Sequence, residues 1–319
     1  MFSKFITYLK PVSLSSYREE EGIVGAIRTV VGCYFAVLPF LALHFLNNGL
    51  EKKPNLDVIW PISWTEALSL SDVGSVVVVK MLFVIVSLVV AFTYKYRFAR
   101  VLLFIAIWQV HALESSYGHI NHQWYTWLYT AGIFIFLPDI WKKNTSFGVI
   151  HQSLLVVWGA QAFIMLTYTM AGINKFYHVF YQYSLGEIHG FSKEAMLYQS
   201  TWWVPQLQQP AYAIDWIITF PIIAWIAYIS LHFIQFFALW TMLRVSLQRV
   251  WTFLLLSFHI GTFLIMGIIF PQHVLLLCVL FVLSPFAVRH YSLKTQLFDL
   301  PVIGQLSEII FKTWSKRNS

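Results

Sequence analysis

Strongly apolar runs recur along the chain at 22–46, 74–94, 98–113, 123–140, 149–172, 213–241, 250–269 and 272–289. A helix that crosses the hydrocarbon core needs about 20 mostly apolar residues, so runs of this length and number restrict the chain to one kind of solvent. They predict an all-α integral membrane protein, a bundle of about eight transmembrane helices. A soluble alternative fails on composition: 58% of the residues are hydrophobic and only 11% charged, with a mean hydropathy of +0.67. That much apolar surface exceeds what a water-soluble domain of this size hides. The 14 Trp and 28 Phe suit interface belts and bundle interiors.

The N-terminal residues from Lys10-Pro11 to Glu19-Glu20-Glu21 are polar, and the run that follows is too long for a cleaved signal, so it is expected to stay as an anchor. The chain divides into a cytoplasmic N-terminal segment (1–21), a transmembrane domain (22–290) and a cytoplasmic amphipathic tail (291–319). In that tail an apolar stretch, Leu306–Phe311, precedes Lys312, Lys316 and Arg317, as in a helix lying on the inner membrane surface.

Orientation follows from the cations, because short loops rich in Lys and Arg are retained in the cytoplasm. Lys95, Arg97 and Arg100 follow the second run, Lys142 and Lys143 the fourth, Arg244 and Arg249 the sixth, Arg289 and Lys294 the eighth. With Lys4, Lys10 and Arg18 they place both termini inside and segments 47–73, 114–122, 173–212 and 270–273 outside. The net charge of +7 is thereby explained by topology and anionic lipid, with no need for nucleic acid.

The two cysteines, Cys33 and Cys278, fall inside apolar runs with no CxxC or Cys/His spacing, which gives no support to a disulfide framework or zinc site. His119-x-x-His122 would share a helix face and could be half a metal site, but no further ligands stand at suitable spacing, and no metal is predicted. His259 lies mid-run, where an ionisable group either points into a cavity or bonds a neighbouring helix. Arg28 sits near the start of the first run and can snorkel to the headgroups. The long segment 173–212 carries Lys175, His178, Glu187, His189 and the pair Trp202-Trp203. Lys175 stands out: it is placed at the outer end of the fifth run, in a chain that keeps almost all its other loop cations inside. A lysine sheltered from water gives up its proton more readily than a solvated one, which makes it the leading candidate for chemistry.

The stretch Tyr168 to Lys175, containing Ala171-Gly172-Ile173-Asn174-Lys175, resembles the Ala-Gly-x-x-Lys signature of the horizontally transferred transmembrane domain, the membrane half of vitamin K-dependent gamma-carboxylases. Asn121-His122 is similar to that family's Asn-His motif. Phe258-His259 with Met266 to Pro271 is similar to its penultimate-helix pattern, and Arg28 fits as well. The resemblance covers roughly residues 20–290. It implies that Lys175 is a base that deprotonates a reduced, vitamin K-like quinone, with His122 assisting. It also implies a pocket that includes Asn121, His119, Arg28, His259, Gly172, Asn174, Trp202 and Trp203. A weak acid such as a hydroquinone needs a neutral amine as its base, which agrees with the shelter expected for Lys175.

The large extracytoplasmic domain that binds the propeptide in carboxylases is not expected from these residues, so an accessory subunit is expected for complete carboxylation. A compact membrane domain of this length is similar to the sporulation-delaying protein B group. That implies a multi-pass protein of the bacterial cytoplasmic membrane that modifies or matures a small exported antimicrobial peptide. The competing expectation is a non-catalytic scaffold, immunity or export protein that keeps the fold. A transporter would show paired halves with broken helices, and no such repeat is present.

Overall fold

A computed structural model describes residues 20–48, 73–116, 122–207, 213–268, 270–286, 293–302 and 304. Its described residues contain helices and no strand. In chain order these are α1 (Glu20–Asn48), α2 (Val73–Thr93), α3 (Arg97–Ser116), α4 (His122–Phe134), α5 (Phe147–Ser184), α6 (Ala195–Leu207), α7 (Ile214–Thr219), α8 (Pro221–Phe236), α9 (Trp240–Leu243), α10 (Gln248–Met266), α11 (Pro271–Leu277) and α12 (Leu293–Asp299). The expected surface helix at 306–311 and nearly all of the expected N-terminal segment lie outside the described residues.

Among the described residues, three helical stretches are long and apolar enough to cross a membrane: Gly22–Asn47, Phe147–Ser184 and Val245–Met266. Val77–Thr93, Pro221–Phe236 and Pro271–Val282 are shorter apolar helices. Several boundaries differ from those expected. The fourth run stops being helical at Phe134, because Pro138, four residues on, has no N–H for the Phe134 carbonyl and its ring would clash there; that carbonyl accepts from the Leu137 N–H at 3.1 Å. The sixth run breaks at Phe220, where Pro221 opens α8 at the first-turn position that needs no N–H donor.

The fifth run departs most. It does not end near Lys175 but continues to Ser184, a helix of 38 residues and therefore about 57 Å long. No proline or helix-ending glycine interrupts it until Gly186, which has φ of 71°. There the Gly186 N–H reaches the Tyr183 carbonyl at 3.1 Å and the Glu187 N–H reaches that of Gln182 at 3.0 Å, closing the exposed end. The expected outer loop 173–212 is thus helical over its first part and again in α6.

The described residues fall into two compact units, with boundaries inside α5 and α11. The first comprises Tyr17–Phe163 and Leu275–Pro285. In it α1 touches α2, α2 touches α3 and α3 touches α4. Its core is aromatic: the rings of Tyr34 and Trp127 stack at 4.9 Å, and the Tyr34 hydroxyl donates to the Trp127 carbonyl at 2.9 Å. Gln161 donates to Ser284 at 2.9 Å and to the Leu280 carbonyl, which satisfies its buried amide.

The second unit comprises Ile164–Val274 and the chain from Phe286, with the described α12. Here α8 touches α6, α7 and α10, and α6 also touches α10. Asp299 at the end of α12 anchors that segment: its carbonyl accepts from Trp240 Nε1 at 2.8 Å, and its carboxylate accepts from Ser246 and lies 3.5 Å from Arg244. α10 ends where Gly267 takes φ of 71° and its N–H caps the Phe263 carbonyl.

Candidate functional site: the lysine cavity

The second unit holds a partly open cavity of about 730 Å³ bounded by α5, α6, α8, α10 and the α5–α6 linker. Its polar lining includes Lys175 and His178 from α5, His189 from the linker, and Tyr228 and His232 from α8. Aliphatic and aromatic side chains such as Val179, Ile265 and Phe258 make up much of the rest.

Lys175 reaches the cavity because of how α5 meets α8. The seam runs along one face of α5 at helical spacing, Thr169, Gly172, Phe176 and Val179. The Leu239 N–H donates to Thr169 Oγ1 at 2.9 Å, and the Phe176 ring meets that of Phe236 edge-on at 5.0 Å. Gly172, buried, sits where the two backbones come closest. One turn on, the half-buried Lys175 donates from Nζ to the Gln235 side-chain oxygen, and Nζ lies 5.4 Å from the centre of the Phe258 ring. Among the described residues no carboxylate lies within ion-pair distance of Lys175, and no Asp or Glu lines the cavity. A cationic lysine here has a ring face and an amide oxygen as partners, leaving its charge without a full counter-ion.

A second polar group lies in the same unit. The Tyr168 hydroxyl and His259 Nε2 are 2.6 Å apart, and the His259 and His273 rings stack at 5.7 Å. Tyr168 is seven residues before Lys175 and so on the same face of α5. His259 is buried, and its Nδ1 has no hydrogen-bond partner among the described residues.

The other expected site residues scatter. Asn174 is exposed on α5, beside Lys175 in sequence but on another face, and Trp202 is exposed on α6. Arg28 belongs to the first unit, where its guanidinium donates to the Ile140 carbonyl at 2.9 and 2.6 Å and to that of Lys142 at 3.0 Å. It fastens the chain after α4. His119 and Asn121 lie outside the described residues, as do the side chains of His122, which opens α4, and Trp203. The expected pairing of His122 with Lys175 therefore falls outside them too. No group of three His, Cys, Asp or Glu able to hold a metal occurs among the described residues.

Sequence reasoning missed His232 and Gln235, and their spacing of three, which places them on one face of α8, was the available signal. It also missed Lys80, 1% exposed in α2, whose Nζ lies 5.3 Å from the centre of the Phe45 ring. Compared with family models, with curated proteins and with solved structures, the chain matches none of them.

Proposed function

We propose that this chain is a multi-pass membrane protein of about eight spans, with both termini cytoplasmic, that binds a lipid-soluble weak acid of the hydroquinone class and uses Lys175 to take its phenolic proton. The observation that carries the reading is a lysine in a largely apolar cavity with no carboxylate beside it among the described residues. Such a group favours a ligand that can become an anion next to it, since the resulting ammonium–phenolate pair cancels a charge that has no full counter-ion among the described residues. The transfer balances simply: the phenolic O–H bond breaks, its proton forms the third N–H bond of the ammonium on Lys175 Nζ, and the oxygen keeps the electron pair. Gln235 orients the amine by accepting one of its N–H groups, which leaves the nitrogen lone pair of the neutral form free for the ligand.

The Ala-Gly-x-x-Lys resemblance supports a reduced quinone as that acid and adds a small exported peptide, matured at the outer face with an accessory subunit, as the downstream substrate. The alternation of Lys and Arg between connecting segments supports the orientation. Photolabelling tests the reading: the full chain in lipid nanodiscs is irradiated with an azido-menaquinone analogue after anaerobic reduction. Saturable labelling of α5 and α10 around Lys175 and Phe258, displaced by unlabelled menaquinol, is the expected result. Labelling that does not saturate, or that falls wholly elsewhere, would overturn it.

A further inference from the structure

His232 lines the same cavity as Lys175 and is 2% exposed. Its Nδ1 lies 2.8 Å from the Tyr228 carbonyl oxygen, one turn back on α8. A carbonyl can only accept, so Nδ1 carries the hydrogen and the neutral ring presents Nε2 as a lone-pair acceptor. The ring is held in that orientation on several sides, with Tyr228, Phe176 and Phe191 meeting it at 4.7, 6.2 and 6.3 Å between centroids. Phe191 is itself fixed, since its carbonyl accepts from Trp225 Nε1 at 2.9 Å. Gly190 beside it has no side chain, and a Cβ there would stand 2.8 Å from Val179 Cγ2 and 3.1 Å from His232 Nε2. The linker therefore closes on this nitrogen without a side chain in front of it.

The cavity thus offers two oriented groups for O–H donors, an amine on α5 and an imidazole nitrogen on α8. Resting on the reading above, we propose that His232 Nε2 accepts a hydrogen bond from a second hydroxyl of the ligand whose first hydroxyl meets Lys175, so that the cavity selects aromatic diols over their mono-ethers. A ligand with one hydroxyl masked leaves the Nε2 acceptor buried and unsatisfied, and that loss outweighs the small gain from a hydrogen bond in water.

The test compares 1,4-dihydroxynaphthalene with 4-methoxy-1-naphthol, two probes that share a ring system and differ in one hydroxyl. Binding to the full chain in nanodiscs is measured anaerobically by calorimetry. The wild-type protein should bind the diol about tenfold more tightly, a difference of about 1.4 kcal/mol. His232→Leu should bring the ratio near one, because the mono-ether no longer leaves an acceptor unsatisfied and binds at least as tightly as to the wild type while the diol loses its partner. Gly190→Ala keeps the imidazole but crowds Nε2, and should lower the ratio in the same direction, which decides the matter if His232→Leu does not fold. Equal binding of both probes by the wild type, or a tenfold preference that survives His232→Leu, would overturn the role of His232 alone. Failure of the wild type to bind either probe would overturn the hydroquinone reading on which it rests.

Discussion

Gly172 of α5 lies against the backbone of Phe236 of α8 so closely that a Cβ at Gly172 would stand 2.5 Å from the Phe236 nitrogen. Backbone cannot yield as a flexible side chain can, so Gly172→Ala must push the two helices apart. Overpacking of this kind costs roughly 1–3 kcal/mol. Because Lys175 meets Gln235 one turn further along the seam, the same change should also weaken ligand binding. Thermal unfolding followed by tryptophan fluorescence should show a lower midpoint for Gly172→Ala and an unchanged one for Asn174→Ala, whose side chain is exposed.

Arg28 should matter for folding and not for ligand. Its guanidinium serves two carbonyls after α4, and charge-assisted bonds of this kind contribute roughly 1.5–3 kcal/mol each way they are broken. Arg28→Lys cannot reproduce the fork and should lower the unfolding midpoint. The protein that remains folded should bind 4-methoxy-1-naphthol with wild-type affinity. A loss of affinity without loss of stability would place Arg28 in the pocket after all.

Tyr168→Phe removes the hydroxyl that lies 2.6 Å from His259 Nε2 and leaves a buried imidazole with neither ring nitrogen bonded among the described residues. The expected cost is about 1–3 kcal/mol, read as a lower unfolding midpoint. His259→Phe in the same background should recover part of it, since removing both partners is less costly than removing one.

The helices were legible in the sequence because apolar runs of bilayer length leave the backbone one economical way to satisfy itself. The end of α5 was not. Residues 173–184 are polar and aromatic, which breaks the hydropathy pattern, yet nothing in them breaks a helix; hydropathy marks the edge of a run and says nothing about where backbone hydrogen bonding stops. Lys175 was found because it stands at the edge of an apolar run in a segment expected to lie opposite most of the other loop cations. His232 and Gln235 were overlooked for the opposite reason, standing inside a long apolar run whose hydropathy masks a pair of polar residues, although their spacing of three puts both on one face. Arg28 was assigned to a pocket by resemblance, and its carbonyl partners more than 100 residues away in sequence could come only from the fold.

Orientation can be checked from outside the cell. In a background lacking Cys33 and Cys278, a cysteine replacing Lys193 should react with a membrane-impermeant maleimide on intact cells, and one replacing Lys143 should react only after permeabilisation. Both positions are exposed, so access to the reagent depends on the side of the membrane. The reverse pattern would invert the topology.

The claim that Lys175 takes a proton from a membrane-soluble phenol is tested most directly by the absorbance of 4-methoxy-1-naphthol bound to the full chain in nanodiscs, at a pH where the free probe is un-ionised. The wild-type protein should show the red-shifted naphtholate band, and Lys175→Met should bind the probe with the spectrum of the neutral naphthol. A neutral spectrum on the wild type, or a naphtholate band that persists in Lys175→Met, would contradict the account.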